Sequence, residues 1–141
     1  MREFWDRVLK ALAAAGGAVV GLLGGWTPLL TVLCAFMALD YLTGLAAAAR
    51  GKSDKTETGG LSSKAGFDGL LRKAVIMLVV LMAALLDRAL GTEASMFLSA
   101  TACYYIANEG LSMLENAQAL GVPIPEALRG ALENVRRKGE K

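Results

Sequence analysis

The stretch TPLLTVLCAFMALDYLTGLAAAA at residues 27–49 carries a single charge, Asp40, in an otherwise apolar run. A bilayer hydrocarbon core of about 30 Å takes roughly 20 helical residues at ~1.5 Å rise each, so this run is long enough to cross one. Two more runs pass the same test on either side of short polar links. Residues 70–90 are apolar between Arg72 and Lys73 at one end and Asp87 and Arg88 near the other, and residues 93–114 end among Asn108, Glu109 and Glu115. A fourth run, residues 12–25, is shorter and rich in glycine, and Gly24-Gly25-Trp26-Thr27-Pro28 separates it from the next helix as a turn. Trp26 suits an interfacial anchor and Pro28 a helix's first turn. The chain is therefore predicted to be an all-α integral membrane protein of three to four transmembrane helices, followed by a short amphipathic helix and forming one domain.

Composition supports this class. The chain is 55% hydrophobic with a mean hydropathy of +0.45, above what a water-soluble domain of this length carries. The charged residues, 20% of the total, gather at the N-terminus, from Arg50 to Lys73, around Asp87 and in the tail after Glu126, leaving the stretches between almost purely apolar. A net charge of +2 is too mild to argue for a nucleic-acid partner. The absence of histidine removes the commonest general base and metal ligand together. No nucleophile, base and metal set is visible, so neither an enzyme nor a cofactor is expected. Cys34 and Cys103 lie in separate apolar runs without a CxxC spacing, and are expected to serve in packing. The opening MREFWDRVLK imitates the charged start of a secretory signal, but Glu3 and Asp6 interrupt it and no A-x-A site follows, so it is expected to be retained.

Orientation follows from the basic residues. The connection between the first two long runs, with the polar loop GKSDKTETGGLSS at 51–63, brings together Arg50, Lys52, Lys55, Lys64, Arg72 and Lys73, whereas the link after Asp87 holds only Arg88. The positive-inside rule places the first connection, and with it the C-terminus, in the cytoplasm. Four crossings also place Arg2, Arg7 and Lys10 there; three would leave them outside. Gly121-Val122-Pro123-Ile124-Pro125 then ends one helix and starts another at 126–138, whose Ala127, Leu128, Ala131, Leu132 and Val135 oppose Glu126, Arg129, Glu133 and Arg136. This tail helix is expected on the membrane surface or against a partner.

Three groups of residues stand out. Ala13, Gly17, Gly21 and Gly25 repeat every four residues, a small-residue stripe that serves either association with another helix or packing within the chain. Asp40 must be compensated, since a charge at the bilayer centre costs roughly 2.5–3.5 kcal/mol on insertion scales. Thr43, Gly44 and Ala47 share its face, which meets either a pore or bound ion, or a neighbouring helix with Asp40 hydrogen-bonded and protonated. Thr101, Tyr105, Asn108, Ser112 and Glu115 form a polar seam, with Glu109 beside it. The seam lines a pore or forms a set of hydrogen bonds between packed helices. Asp87 and Arg88 sit close enough to a helix end to snorkel.

From Leu39 onward the chain resembles the toxin-secretion and phage-lysis holin family. The resemblance rests on Leu39-Asp40-Tyr41-Leu42-Thr43-Gly44, on Ser62-Ser63-Lys64-Ala65-Gly66-Phe67-Asp68-Gly69 leading into Arg72-Lys73, and on Tyr105-Ile106-Ala107-Asn108-Glu109-Gly110-Leu111-Ser112 followed by Leu114-Glu115-Asn116-Ala117 and Leu120-Gly121-Val122-Pro123-Ile124-Pro125-Glu126. It implies a small helical protein of the bacterial cytoplasmic membrane that forms homo-oligomers in the lipid bilayer and opens passages for an endolysin or an exported toxin, causing lysis. The same polar seams would also serve a small ion channel or transporter subunit, or a non-conducting scaffold or antiholin.

Overall fold

Local chemistry sets where each helix begins and ends. The computed structural model describes all 141 residues, arranged as α1 (Arg2–Leu22), α2 (Pro28–Ala49), α3 (Ser63–Leu90), α4 (Met96–Ala119) and α5 (Glu126–Gly139), with a 3-10 turn at Glu93–Ser95. The Thr27 side chain caps α2 by accepting from the Leu30 amide at 3.3 Å, and Pro28 follows in the first turn. Ser62 does the same for α3 through the Ala65 amide, so that helix starts two turns before the apolar run at 70–90. Gly91, at φ 62°, ends α3 in the left-handed conformation that glycine adopts without a Cβ penalty.

The segment that follows is less comfortable. Ala94 and Ser95 are both left-handed, at φ 55° and 50°, a conformation that costs a non-glycine residue roughly 1–2 kcal/mol. Asp87 holds it in place: its carboxylate accepts from the Phe97 amide at 3.0 Å, from the Leu98 amide at 2.8 Å and from the Thr92 hydroxyl. This aspartate, 5% exposed, does not snorkel outward as its place near a helix end predicts. It reaches across the turn and caps the N-terminus of α4, where free amides and the helix dipole favour an anion.

α4 is the hub of the bundle. It packs along α2 in parallel, against α3 antiparallel, and against α5, whereas α2 and α3 meet over a short stretch only. Leu23, Leu30, Leu33, Met37, Ile76, Val80, Ala84, Leu98 and Ala102 form the apolar core. Gly110 lets α4 fit between two neighbours: a Cβ there would lie 3.0 Å from Leu132 of α5 and 3.1 Å from Phe36 of α2.

Two helices, α2 and α3, are long and apolar enough to cross a membrane. α4 has the length, but its tyrosines, Asn108, Glu109 and Ser112 make it less apolar. The tail helix, expected on a membrane surface or a partner, instead folds back antiparallel on α4, with Arg129 donating to Gln118 at 2.8 Å beside the turn and Gly139 against the Tyr104 ring. α1 buries no residue. It meets α3 near its end, where Arg88 donates to the Gly21 carbonyl at 2.7 Å. Open space surrounds the positions a Cβ would take at Gly17 and Gly21, so apart from the Arg88 contact at Gly21 the small-residue stripe is left uncovered within the chain.

Candidate functional site

The polar centre of the bundle is built from one residue per helix. Asp40 lies on α2, Lys73 ten residues into α3, and Glu109 ten residues before the end of α4. The Lys73 ammonium donates to Asp40 Oδ2 at 2.7 Å and to Glu109 Oε2. Both carboxylates are buried, and the Lys73 side chain is 12% exposed. One cation is thus shared between two acids on different helices. Breaking such a buried arrangement costs more than forming it gains, because the partner left behind keeps its charge without water.

A second set of bonds completes the coordination of Asp40. The Asn116 amide, also buried, donates to the Asp40 carbonyl, to Asp40 Oδ1 and to Thr43 Oγ1, each at 3.2 Å. Thr43 in turn donates to the Leu39 carbonyl at 2.8 Å. From the α2–α3 loop, Lys55 places its ammonium 3.8 Å from Asp40 Oδ1 and 3.5 Å from Ser112 Oγ. The loop expected to be a flexible link therefore returns into the bundle. Lys73 and the exposed Lys55 balance the two acids in charge, which offsets the cost of burying the carboxylates and the Lys73 ammonium.

Above this centre the helices diverge around an open vestibule of about 920 Å³ between α2, α3, α4 and the loop. Tyr41, Gly44, Tyr105, Asn108, Glu109 and Ser112 line it. The Tyr41 ring lies over Gly66 and Gly69 of α3, whose missing side chains leave it room. Of the residues singled out in the sequence, Asp40, Thr43, Gly44, Tyr105, Asn108, Glu109, Ser112 and Asn116 meet here. Glu115 is exposed and stands apart, and Asp87 belongs to the opposite end of the bundle.

A model of the bacteriophage holin family matches residues 17–137, nearly the whole chain and all of this site. The chain belongs to the bacteriophage holin family. Its relatives include an uncharacterized protein of Clostridium perfringens, 44% identical over 82% of this chain and 80% of its own length. An uncharacterized 14.9 kDa protein of the same species is 39% identical over 98% and 99%. A protein of Bacillus phage phi105 named a probable holin is 34% identical over 67% of this chain and 64% of its own length. No solved structure matches the chain. Holin-family membership together with the two long apolar helices makes it a membrane protein, and the family is not one of enzymes.

Two residues of this holin-family site escape sequence reasoning. Lys73 reads as a flanking charge when the apolar run is counted from residue 70, and Lys55 reads as one basic residue of a loop. A signal for Lys73 exists in the helix start: counted from the Ser62 cap, Lys73 lies about as far from its helix end as Asp40 does from Arg50, which puts the two charges at one level. No periodicity marks Lys55, because a loop's return path depends on the bundle it returns to.

Proposed function

We propose that this chain is a holin that crosses the bacterial cytoplasmic membrane with α2, α3 and α4, and with α1 as a fourth crossing. Copies of it then assemble and open lesions through which an endolysin or an exported toxin leaves the cell. The observation that carries this proposal is the buried Asp40–Lys73–Glu109 cluster in a holin-family bundle. It keeps polar surface hidden among helices, ready to be hydrated when the helices part, and a lesion that opens late needs such a store.

Further features support the arrangement. The basic residues concentrate on the α2–α3 connection, with Arg88 alone at the other end, so both termini lie in the cytoplasm after four crossings. The glycine face of α1, open at the positions where a Cβ would stand, gives a second helix room for close approach.

The test is timed expression in bacteria, following membrane potential, entry of a small dye and release of a folded cytosolic protein in one culture. An abrupt, delayed loss of potential with release of protein is the expected outcome. Ion leakage without protein release would make the chain a small channel, and growth with no change of permeability would make it a scaffold or antiholin. Asp40→Asn and Glu109→Gln should shift the time of opening; unchanged timing in both would remove the cluster from the mechanism.

A further inference from the structure

Two recesses enter the bundle from opposite ends. The wide vestibule penetrates as far as Asp40 on α2, Ile76 on α3 and Tyr105 on α4. A smaller recess of about 360 Å³ enters beside the α3–α4 turn and reaches Leu23, Ala84, Asp87 and Ser95. What separates them is mainly apolar: Leu30, Leu33, Met37, Val80, Leu98 and Ala102 form one cluster, with the half-buried Ser99 and Thr101 of α4 at the same level. On α3 the recesses approach within the eight residues from Ile76 to Ala84, about 12 Å of helix. On α4 they approach within the ten residues from Ser95 to Tyr105, about 15 Å. A bilayer core is about 30 Å thick, so the seal occupies roughly half of it.

From this juxtaposition we infer that each protomer contains its own route for water and small ions, closed by the single apolar layer around Val80 and separate from any lesion between protomers. It rests on the proposal that α2, α3 and α4 cross the membrane. Each mouth carries exposed or half-buried polar groups that hold water: Lys55, Asn108 and Ser112 at one end, Arg88 and Thr92 at the other. Apolar constrictions of this kind close by excluding water, and a polar group in the layer or a small parting of the helices re-wets them. Two water-filled recesses with a thin layer between them also concentrate the membrane field on that layer. α4 alone contacts both other helices extensively, so a shift of α4 opens the route.

The test uses the full chain reconstituted in phospholipid vesicles. Val80→Thr keeps the side-chain shape and adds a hydroxyl to the layer, and Ala102→Ser does the same on α4. Each should raise potassium and proton leak on the order of tenfold, in proportion to the first power of the protein-to-lipid ratio, while the vesicles retain an entrapped folded protein. In a background with Cys34→Ala and Cys103→Ala, Ser112→Cys should react with a membrane-impermeant maleimide from one side of closed vesicles, and Val80→Cys from neither. The same Ser112→Cys labelling in the Val80→Thr chain reports that the bundle has kept its form. A membrane-inserted chain whose two polar variants leak no more than the parent overturns the inference, as does a leak that rises with a higher power of protein concentration, or an unreactive Ser112→Cys. If alkaline carbonate strips the chain from the vesicles, the membrane-crossing proposal itself fails and the route falls with it.

Discussion

At the scale of single residues, the decisive group is Lys73, since its one ammonium serves two buried carboxylates. Lys73→Met should destabilise the bundle by about 3–5 kcal/mol, the cost of leaving buried charge without a partner. The loss should appear as a lower midpoint of thermal unfolding in detergent. Adding Asp40→Asn and Glu109→Gln to that variant should recover most of it; a triple variant no more stable than Lys73→Met alone would mean that the lysine acts through packing. The acids themselves were legible in the sequence, because a carboxylate inside an apolar run demands compensation wherever it occurs. Their compensating partner was not, since an ion pair between helices depends on relative depth, and depth depends on where each helix starts. Asn116 illustrates the same limit: the family resemblance includes it, but only the parallel packing of α2 and α4 brings it to the Asp40 carbonyl.

At the scale of elements, the α3–α4 connection is the one place where the backbone is held against its preference. Asp87→Asn removes the charge and one of the two acceptors facing the Phe97 and Leu98 amides, which should cost about 1–2 kcal/mol. Faster hydrogen exchange at those two amides, with the rest of α4 unchanged, is the expected signature. Ala94→Gly should act in the opposite direction, because glycine takes φ 55° without a Cβ penalty, and should stabilise the chain by about 1 kcal/mol. An unchanged or lower melting temperature would show that the turn relaxes outside the intact bundle. Helical character here follows from composition and run length, but the start of α3 does not: the apolar run begins near residue 70, whereas the Ser62 cap starts the helix at Ser63. Nor does the turn: Asp87 reads as a helix-end charge until the following helix is placed over it.

At the scale of the whole molecule, the docking of α5 conflicts with the proposed crossing of the membrane by α4. Its last residue touches Tyr104, fifteen residues from the end of α4 and hence about 22 Å along it. Arg136, Arg137 and Lys138 therefore lie level with the middle of α4, and the Arg136 Nε is buried without a hydrogen-bond partner. Each cation held at that depth in lipid would cost roughly 2.5–3.5 kcal/mol. In vesicles containing anionic lipid, α5 should leave α4 for the surface, where its basic end meets headgroups. Spin labels on the native Cys103 and on Lys138→Cys, in a chain with Cys34→Ala, should stand farther apart in such vesicles than in detergent; equal distances would show that α5 stays docked. The amphipathic pattern of α5 was legible in the sequence, but the face it meets was not, because Gly110 and Leu132 fit each other only once both helices are formed.

The central place of α4 has a consequence for biosynthesis. The ribosome delivers α2 and α3 before α4, and these two share little surface, so the early chain holds its long apolar helices without a common partner. The helix that unites them arrives almost last. A transcript cut short near Gly91 would thus yield both long apolar helices yet no bundle, and the moment at which each molecule becomes complete is set by the end of translation.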